Sequence, residues 1–158
     1  MFNFFKKKKG NELAAPIDGK LISIENVSDQ VFSQKIMGDG FAVEPDSDVV
    51  VSPVKGEIVS IFPTKHAISI KDTKDMEILL HLGIDTVDLN GKPFEMLVEE
   101  KQHVEVGDPL VRMSRQEIKD NKKDDTVILV LPGQNNLHFD PSITEREVKA
   151  GDMLTTVG

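Results

Sequence analysis

The chain has 158 residues, with 19 basic against 27 acidic side chains and a net charge of −8. That length suits one domain with a real core rather than two, and the acidity argues against a nucleic-acid backbone as partner and for a basic protein surface. Cysteine, tryptophan and tyrosine are absent, which excludes disulfides, thiolate nucleophiles and cysteine-ligated metals and leaves base-stacking platforms scarce.

In chain order, Met1-Phe-Asn-Phe-Phe precedes Lys6-Lys-Lys-Lys9. This is the reverse of a secretory signal, and the apolar run is far too short to span a bilayer, so a cytoplasmic protein is expected. Residues 1–11 read as a flexible basic and apolar tail, suited at most to weak contact with an anionic membrane surface, and residues 12–158 as one domain.

Ala15-Pro-Ile-Asp-Gly-Lys-Leu-Ile-Ser-Ile24 repeats as Ser52-Pro-Val-Lys-Gly-Glu-Ile-Val-Ser-Ile61, and Val104-Glu-Val-Gly-Asp-Pro-Leu-Val111 as Val148-Lys-Ala-Gly-Asp-Met-Leu-Thr155. Each reads as two short strands about a glycine turn, so a duplicated β-unit is expected. Turn signals recur at Asp18-Gly19, Gly38-Asp-Gly40, Pro45-Asp46, Lys55-Gly56, Asn90-Gly91, Gly107-Asp108 and Gly151-Asp152. With no long 3.6-residue apolar period between them, the fold class is all-β, an antiparallel sandwich or barrel with at most short helices.

Between the two halves of the first repeat and the second, His66-Ala-Ile-Ser-Ile and Glu77-Ile-Leu-Leu-His81 flank the polar Asp72-Thr-Lys-Asp75. This predicts a hairpin. With Thr73 and Lys74 as central turn residues, His66 falls opposite His81, and Cβ atoms roughly 5 Å apart would let both rings bracket one phosphoryl group or metal. A slip of one residue would send one ring to the other face. Thr64, two residues before His66, would share its face if the strand extends that far, and its hydroxyl could orient that ring.

Further on, Ser114 and Glu117 have capping-box spacing for a short helix over 114–121, followed by a charged Lys119–Asp125 loop read as solvated surface. His103 and His138 lie in polar, turn-like contexts and are read as surface residues.

Gln34-Lys-Ile-Met-Gly-Asp-Gly-Phe-Ala-Val43, Val51-Ser-Pro-Val-Lys-Gly56, Pro63-Thr-Lys-His-Ala67, Leu80-His-Leu-Gly-Ile-Asp-Thr-Val87 and Val106-Gly-Asp-Pro-Leu110 together resemble the glucose-family enzyme IIA, the type-1 phosphoryl carrier of the bacterial phosphoenolpyruvate-dependent sugar phosphotransferase system. The resemblance runs over about residues 12 to 113 and weakens through Val127-Ile-Leu-Val-Leu-Pro-Gly-Gln-Asn-Asn136. It implies a β-sandwich of the duplicated hybrid type. It also implies His81 as the residue that accepts a phosphoryl group through Nε2 from the phosphocarrier protein HPr and yields it to a cysteine of enzyme IIB. His66 is implied as the imidazole that stabilises the phosphoryl oxygens, with Thr64 orienting it.

The chemistry asks His81 for one free lone pair, so its other nitrogen should hold a proton against an acceptor near Gly83. By the resemblance, Val31, Phe32, Ile36, Met37, Phe62 and Leu79 form an apolar rim, and Asp29 and Asp85 face basic partner residues. A rim of that kind excludes water from a transfer that hydrolysis would waste, while carboxylates set the register of a basic partner. No cofactor is required.

Two alternatives use the same residues. His81-Leu-Gly-Ile-Asp85 has the His-x-x-x-Asp spacing of some metallopeptidases, but the chain has no His-x-His motif, and zinc fits better as a bridge from His66 and His81 to a regulatory partner. A regulatory binding module read out by the state of His81 is the other. A biotinyl or lipoyl carrier is rejected, since no Met-Lys-Met occurs.

Overall fold

The structure is a computed structural model and describes residues 11–134 and 145–157. Its strands are β1 (Asn11–Ala14), β2 (Gly19–Ser23), β3 (Gly38–Pro45), β4 (Val49–Val51), β5 (Gly56–Ile61), β6 (Ala67–Asp72), β7 (Glu77–Ile84), β8 (Phe94–Met96), β9 (His103–Val104), β10 (Pro109–Met113), β11 (Asp124–Pro132), β12 (Arg146–Val148) and β13 (Met153–Val157). Two short helices accompany them, α1 (Gln30–Ser33) and α2 (Arg115–Asp120). All strand pairs described are antiparallel. The expected all-β sandwich is what forms.

The large sheet runs β12-β2-β3-β11-β7-β6-β5-β9, with β1-β13 and β4-β10-β8 as separate small sheets. Its order is a palindrome in the repeat, because β2 and β5 begin at the matching glycines and β12 and β9 belong to the matching Gly-Asp hairpins. Hydrogen bonds between and within the halves repeat in the same way. Ala14 N–H donates to Pro53 O at 2.9 Å and Val51 N–H to Pro16 O at 2.7 Å, while Gly151 N–H donates to Ala15 O and Gly107 N–H to Ser52 O, both at 2.9 Å. In the second repeat Glu105 N–H donates to the Asp108 carboxylate and Lys149 N–H to that of Asp152. The duplication read in the sequence is therefore a pseudo-twofold in space, and its axis passes between the central strands β11 and β7.

Two apolar clusters fill the molecule. The main one, with Leu13, Ile17, Leu21, Phe41, Ile58, Ile68, Ile70, Leu80, Leu82 and Leu129, takes the even positions of β6 and, as far as Leu82, of β7. The second packs Ile22, Ile24, Val27, Phe32 and Ile128 with Ala67 and Leu79, the odd positions. The period of two in these strands assigns one face to each cluster, and the odd face of β7 is the one that carries His81.

Several local expectations change. Gly38-Asp-Gly40 is no turn but the start of β3, where a Cβ on either glycine would run into the carbonyl oxygens of Leu131 and Leu129 on β11. Close backbone approach, not a turn, is what needs glycine here. Asn11 is not tail, since it pairs with Val157 in β1; the rest of the expected tail, and His138, lie outside the described residues.

The helix at Ser114 forms, with its hydroxyl accepting from Glu117 N–H at 3.2 Å. The charged loop after it is shorter than expected, because Asp124 and Asp125 already belong to β11. Asp124 binds both Thr126 N–H and its hydroxyl, and Asp125 pairs with Lys119 at 3.5 Å. His103 sits on the two-residue strand β9 opposite Glu57 rather than in a turn, and is exposed as expected.

Candidate functional site

The hairpin of β6 and β7 differs from its expected register by one residue. Ala67, not His66, lies opposite His81, and Ile70 lies opposite Ile78. The cause is the turn. Asp75 adopts a left-handed backbone with φ 67°, so the loop has three residues, and Asp72 closes it by donating its N–H to Met76 O. The Asp72 carboxylate also accepts from Lys74 N–H and Met76 N–H, both at 2.9 Å. This is the turn-plus-bulge geometry of three-residue hairpins, and Asp is among the non-glycine residues that tolerate its left-handed position.

The slip does not separate the rings, contrary to the expected penalty. His66 lies just outside β6, after a left-handed Lys65 with φ 60°, in a loop closed by Phe62 N–H to Ala67 O at 3.1 Å. It is free of the alternation that a regular strand would impose. The His66 and His81 ring centroids are 5.2 Å apart at 77°.

Thr64 is likewise in this loop rather than on a strand, yet its Oγ1 lies 2.6 Å from His66 Nδ1. His81 Nδ1 is 2.7 Å from Gly83 O. A carbonyl only accepts, so Nδ1 carries the proton and Nε2 of neutral His81 keeps its lone pair.

Gly83 can aim its carbonyl this way because it takes φ 83°, at the point where the β7–β11 register shifts between Leu82–Val127 and Ile84–Asp124. A Cβ there would strike Thr86 Cγ2 and Asp124 O.

Burial lowers the His66 pKa. For His81 burial is again the largest effect and lowers the pKa, opposed by the Gly83 carbonyl and the carboxylates of Asp29 and Asp85 and reinforced by His66. Both imidazoles are therefore held neutral below the pH at which a free one would charge.

A group whose folded pKa is depressed favours the unfolded chain when protonated. The histidine contribution to stability should thus be constant above the ordinary value of 6.5 and be lost as pH falls below it towards the folded values. Thermal melts from pH 7.5 to 5.0 on wild type and a His66→Gln, His81→Gln double variant check this. The variant should show a shallower decline, and parallel curves would contradict the assignment.

The six expected rim residues divide into two groups. Val31, Ile36, Met37 and Phe62 are exposed, Ile36 most at 65 %. Phe32 at 5 % and Leu79 at 7 % are buried and lie beneath the surface as part of the second core cluster. Asp29 caps α1, its carboxylate accepting from Val31 N–H at 2.8 Å. Asp85 is exposed with a left-handed backbone of φ 61° at the head of the 3-10 turn Thr86–Leu89.

Helix α1 had no distinct sequence signal at four residues, although Asp29 as cap could have marked its start. Among the described residues no group of three or more His, Asp or Glu side chains is placed to hold a metal ion. No helix among them is long and apolar enough to cross a membrane.

A family model described as phosphoenolpyruvate-dependent sugar phosphotransferase system, EIIA 1, matches residues 11–137. The match continues past residue 113 into the strand where the resemblance read from the sequence weakens. A Staphylococcus epidermidis protein named PTS system glucose-specific EIIA component is 44 % identical over 115 residues, covering 73 % of this chain and 69 % of that one. Its counterpart of the same name from Staphylococcus aureus is 38 % identical over 151 residues, covering 92 % and 91 %. The solved structure of glucose permease IIA from Mycoplasma capricolum superposes with a TM-score of 0.80 at 36 % identity over 98 % of both chains.

Proposed function

The chain belongs to the phosphoenolpyruvate-dependent sugar phosphotransferase system EIIA 1 family, and from that membership we propose that it carries the phosphoryl group on Nε2 of His81. The observation that supports this reading best is the 2.7 Å contact of His81 Nδ1 with Gly83 O, which commits one nitrogen as donor and leaves the other nucleophilic.

In the proposed step the Nε2 lone pair attacks phosphorus of phosphohistidine on HPr. An N–P bond forms on His81 as the donor's N–P bond breaks and its imidazole leaves with the electron pair. A cysteine thiolate of enzyme IIB then attacks the same phosphorus, and Nε2 regains its lone pair. The sugar moved by that permease is glucose, as the names of the relatives suggest.

His66 stabilises the charge on the transferring oxygens. If the Thr64 hydroxyl donates to Nδ1, the Nε2–H of His66 is free to donate to the phosphoryl group. Val31, Ile36, Met37 and Phe62 offer the apolar contact surface, and Asp29 and Asp85 steer basic partners into register. Phe32 and Leu79 support that surface from below, with Gly83 setting the His81 ring.

The setting is cytoplasmic, where donor and acceptor domains are met in turn. The transfer itself needs no metal. A zinc ion on the two imidazoles would need its remaining ligands from a regulatory partner.

Intact-mass spectrometry at alkaline pH, after incubation with phosphoenolpyruvate, enzyme I and HPr, tests the assignment. One phosphoryl mass is expected on wild type and on His66→Ala and none on His81→Ala. A folded wild type that gains no mass from a competent donor pair would overturn it.

A further inference from the structure

Four rings stand in a row across the site. Phe62 meets His66 at 5.5 Å and 81°, His66 meets His81 at 5.2 Å and 77°, and His81 meets Phe32 at 4.9 Å and 59°. The two ends differ, since Phe62 is 38 % exposed and Phe32 only 5 %. A partner can reach the first ring but scarcely the second.

The geometry points to Phe32 as a positioning residue for the phosphoryl acceptor, a fixed aromatic wall that holds the plane of the His81 imidazole and does not contact the partner. This rests on the reading of His81 as acceptor. The bond from Nδ1 to Gly83 O fixes one atom of the ring but still permits rocking about that contact. A rigid ring packed against the imidazole removes this freedom at low entropy cost, since phenylalanine has two side-chain torsions and is itself locked by its neighbours.

The wall is well supported. Asp29 caps α1 through Val31 N–H at 2.8 Å, and Ser33 N–H donates to Asp29 O at 2.9 Å. Ser28 Oγ donates to the Asp124 carboxylate at 3.2 Å, and Asp124 O lies beside Gly83. One residue of β11 thus ties the segment carrying the wall to the bulge carrying the carbonyl. On the far side of α1, Lys35 Nζ lies 3.5 Å from Asp39.

Misplacing a reacting atom by about 1 Å can cost around 10²-fold in rate, so loss of the wall should act on kcat. Transfer from phospho-HPr is measured for wild type, Phe32→Leu, Phe32→Ala and Phe32→Tyr, with the His81 pKa followed by NMR in the isolated proteins. The groups that bear on that pKa are His66 from the β5–β6 loop, Asp29 at the head of α1, and Asp85 and the Gly83 carbonyl after His81.

For Phe32→Leu, kcat should fall about tenfold with KM within about twofold. Phe32→Tyr should restore most of it, and the His81 pKa should rise towards its ordinary value in Phe32→Ala. A folded Phe32→Leu with the wild-type kcat, or one altered only in KM, would overturn the proposal. A wild type that is never phosphorylated on His81 would overturn the acceptor reading instead, and the NMR comparison would still report whether Phe32 holds the ring.

Discussion

His66→Ala should still acquire one phosphoryl group on His81, but roughly 100- to 1,000-fold more slowly, the range found when a single preorganised donor to a developing oxyanion is removed. The rings are 5.2 Å apart, close enough for one phosphoryl group to touch both, and only one of them has its Nδ1 committed to a backbone carbonyl. Thr64→Val should slow transfer less, because it removes the partner of His66 Nδ1 at 2.6 Å without removing the ring. Quench-flow transfer from phospho-HPr on both single variants and the double separates the roles. If Thr64 acts through His66, the double variant should be no slower than His66→Ala, whereas additive losses would mean that Thr64 acts on its own.

Gly83→Ala is expected to harm fold and chemistry together. A non-glycine residue at φ 83° costs about 1–2 kcal/mol for the left-handed backbone alone, and here the added Cβ also meets Thr86 Cγ2 and the Asp124 carbonyl. The Thr86 side chain has little room to yield, being fully buried and bonded to Leu82 O. A total of about 2 kcal/mol or more would lower Tm by roughly 4 to 8 °C in a domain of this size. Relief of the clash by backbone movement would turn the Gly83 carbonyl away from His81, so the Nδ1–H tautomer seen by NMR should weaken and transfer should fall. Unchanged Tm and an unchanged tautomer would show that the bulge is not what fixes the ring.

The large features of this molecule were readable because they depend on periodicity and repetition. Alternation in β6 and β7 marks two-faced strands, and the paired Pro-x-x-Gly segments mark a duplication that the reciprocal bonds Ala14–Pro53 and Val51–Pro16 realise in space. What the sequence hides is the backbone choice at single residues. Asp75 in the left-handed region adds one residue to the hairpin loop, and Lys65 in the same region frees His66 from the strand; the two departures offset each other. The two histidines are thus adjacent in a register one residue away from the one the sequence predicts.

Burial order was hidden too. Phe32 and Ile36 are both apolar and four residues apart, but Phe32 on α1 packs against His81 whereas Ile36, three residues past the end of the helix, is exposed. Gly38 and Gly40 show a further limit, since turn glycines and close-approach glycines share one letter and only the neighbouring strand tells them apart.

The pseudo-twofold also sets an order of assembly. The half that contains the histidine hairpin is continuous, β4 to β10, within residues 49–113, whereas the other half draws β1 to β3 from residues 11–45 and β11 to β13 from residues 124–157. As the chain leaves the ribosome, β1 must wait for β13, its hydrogen-bonded neighbour, while about 140 residues are added. At 5–20 residues per second that is on the order of ten seconds. Through that interval β1 lacks its strand partner, while β2 already has β3 and the hairpin of β6 and β7 already has its own pairing, so a late strand completes an early one.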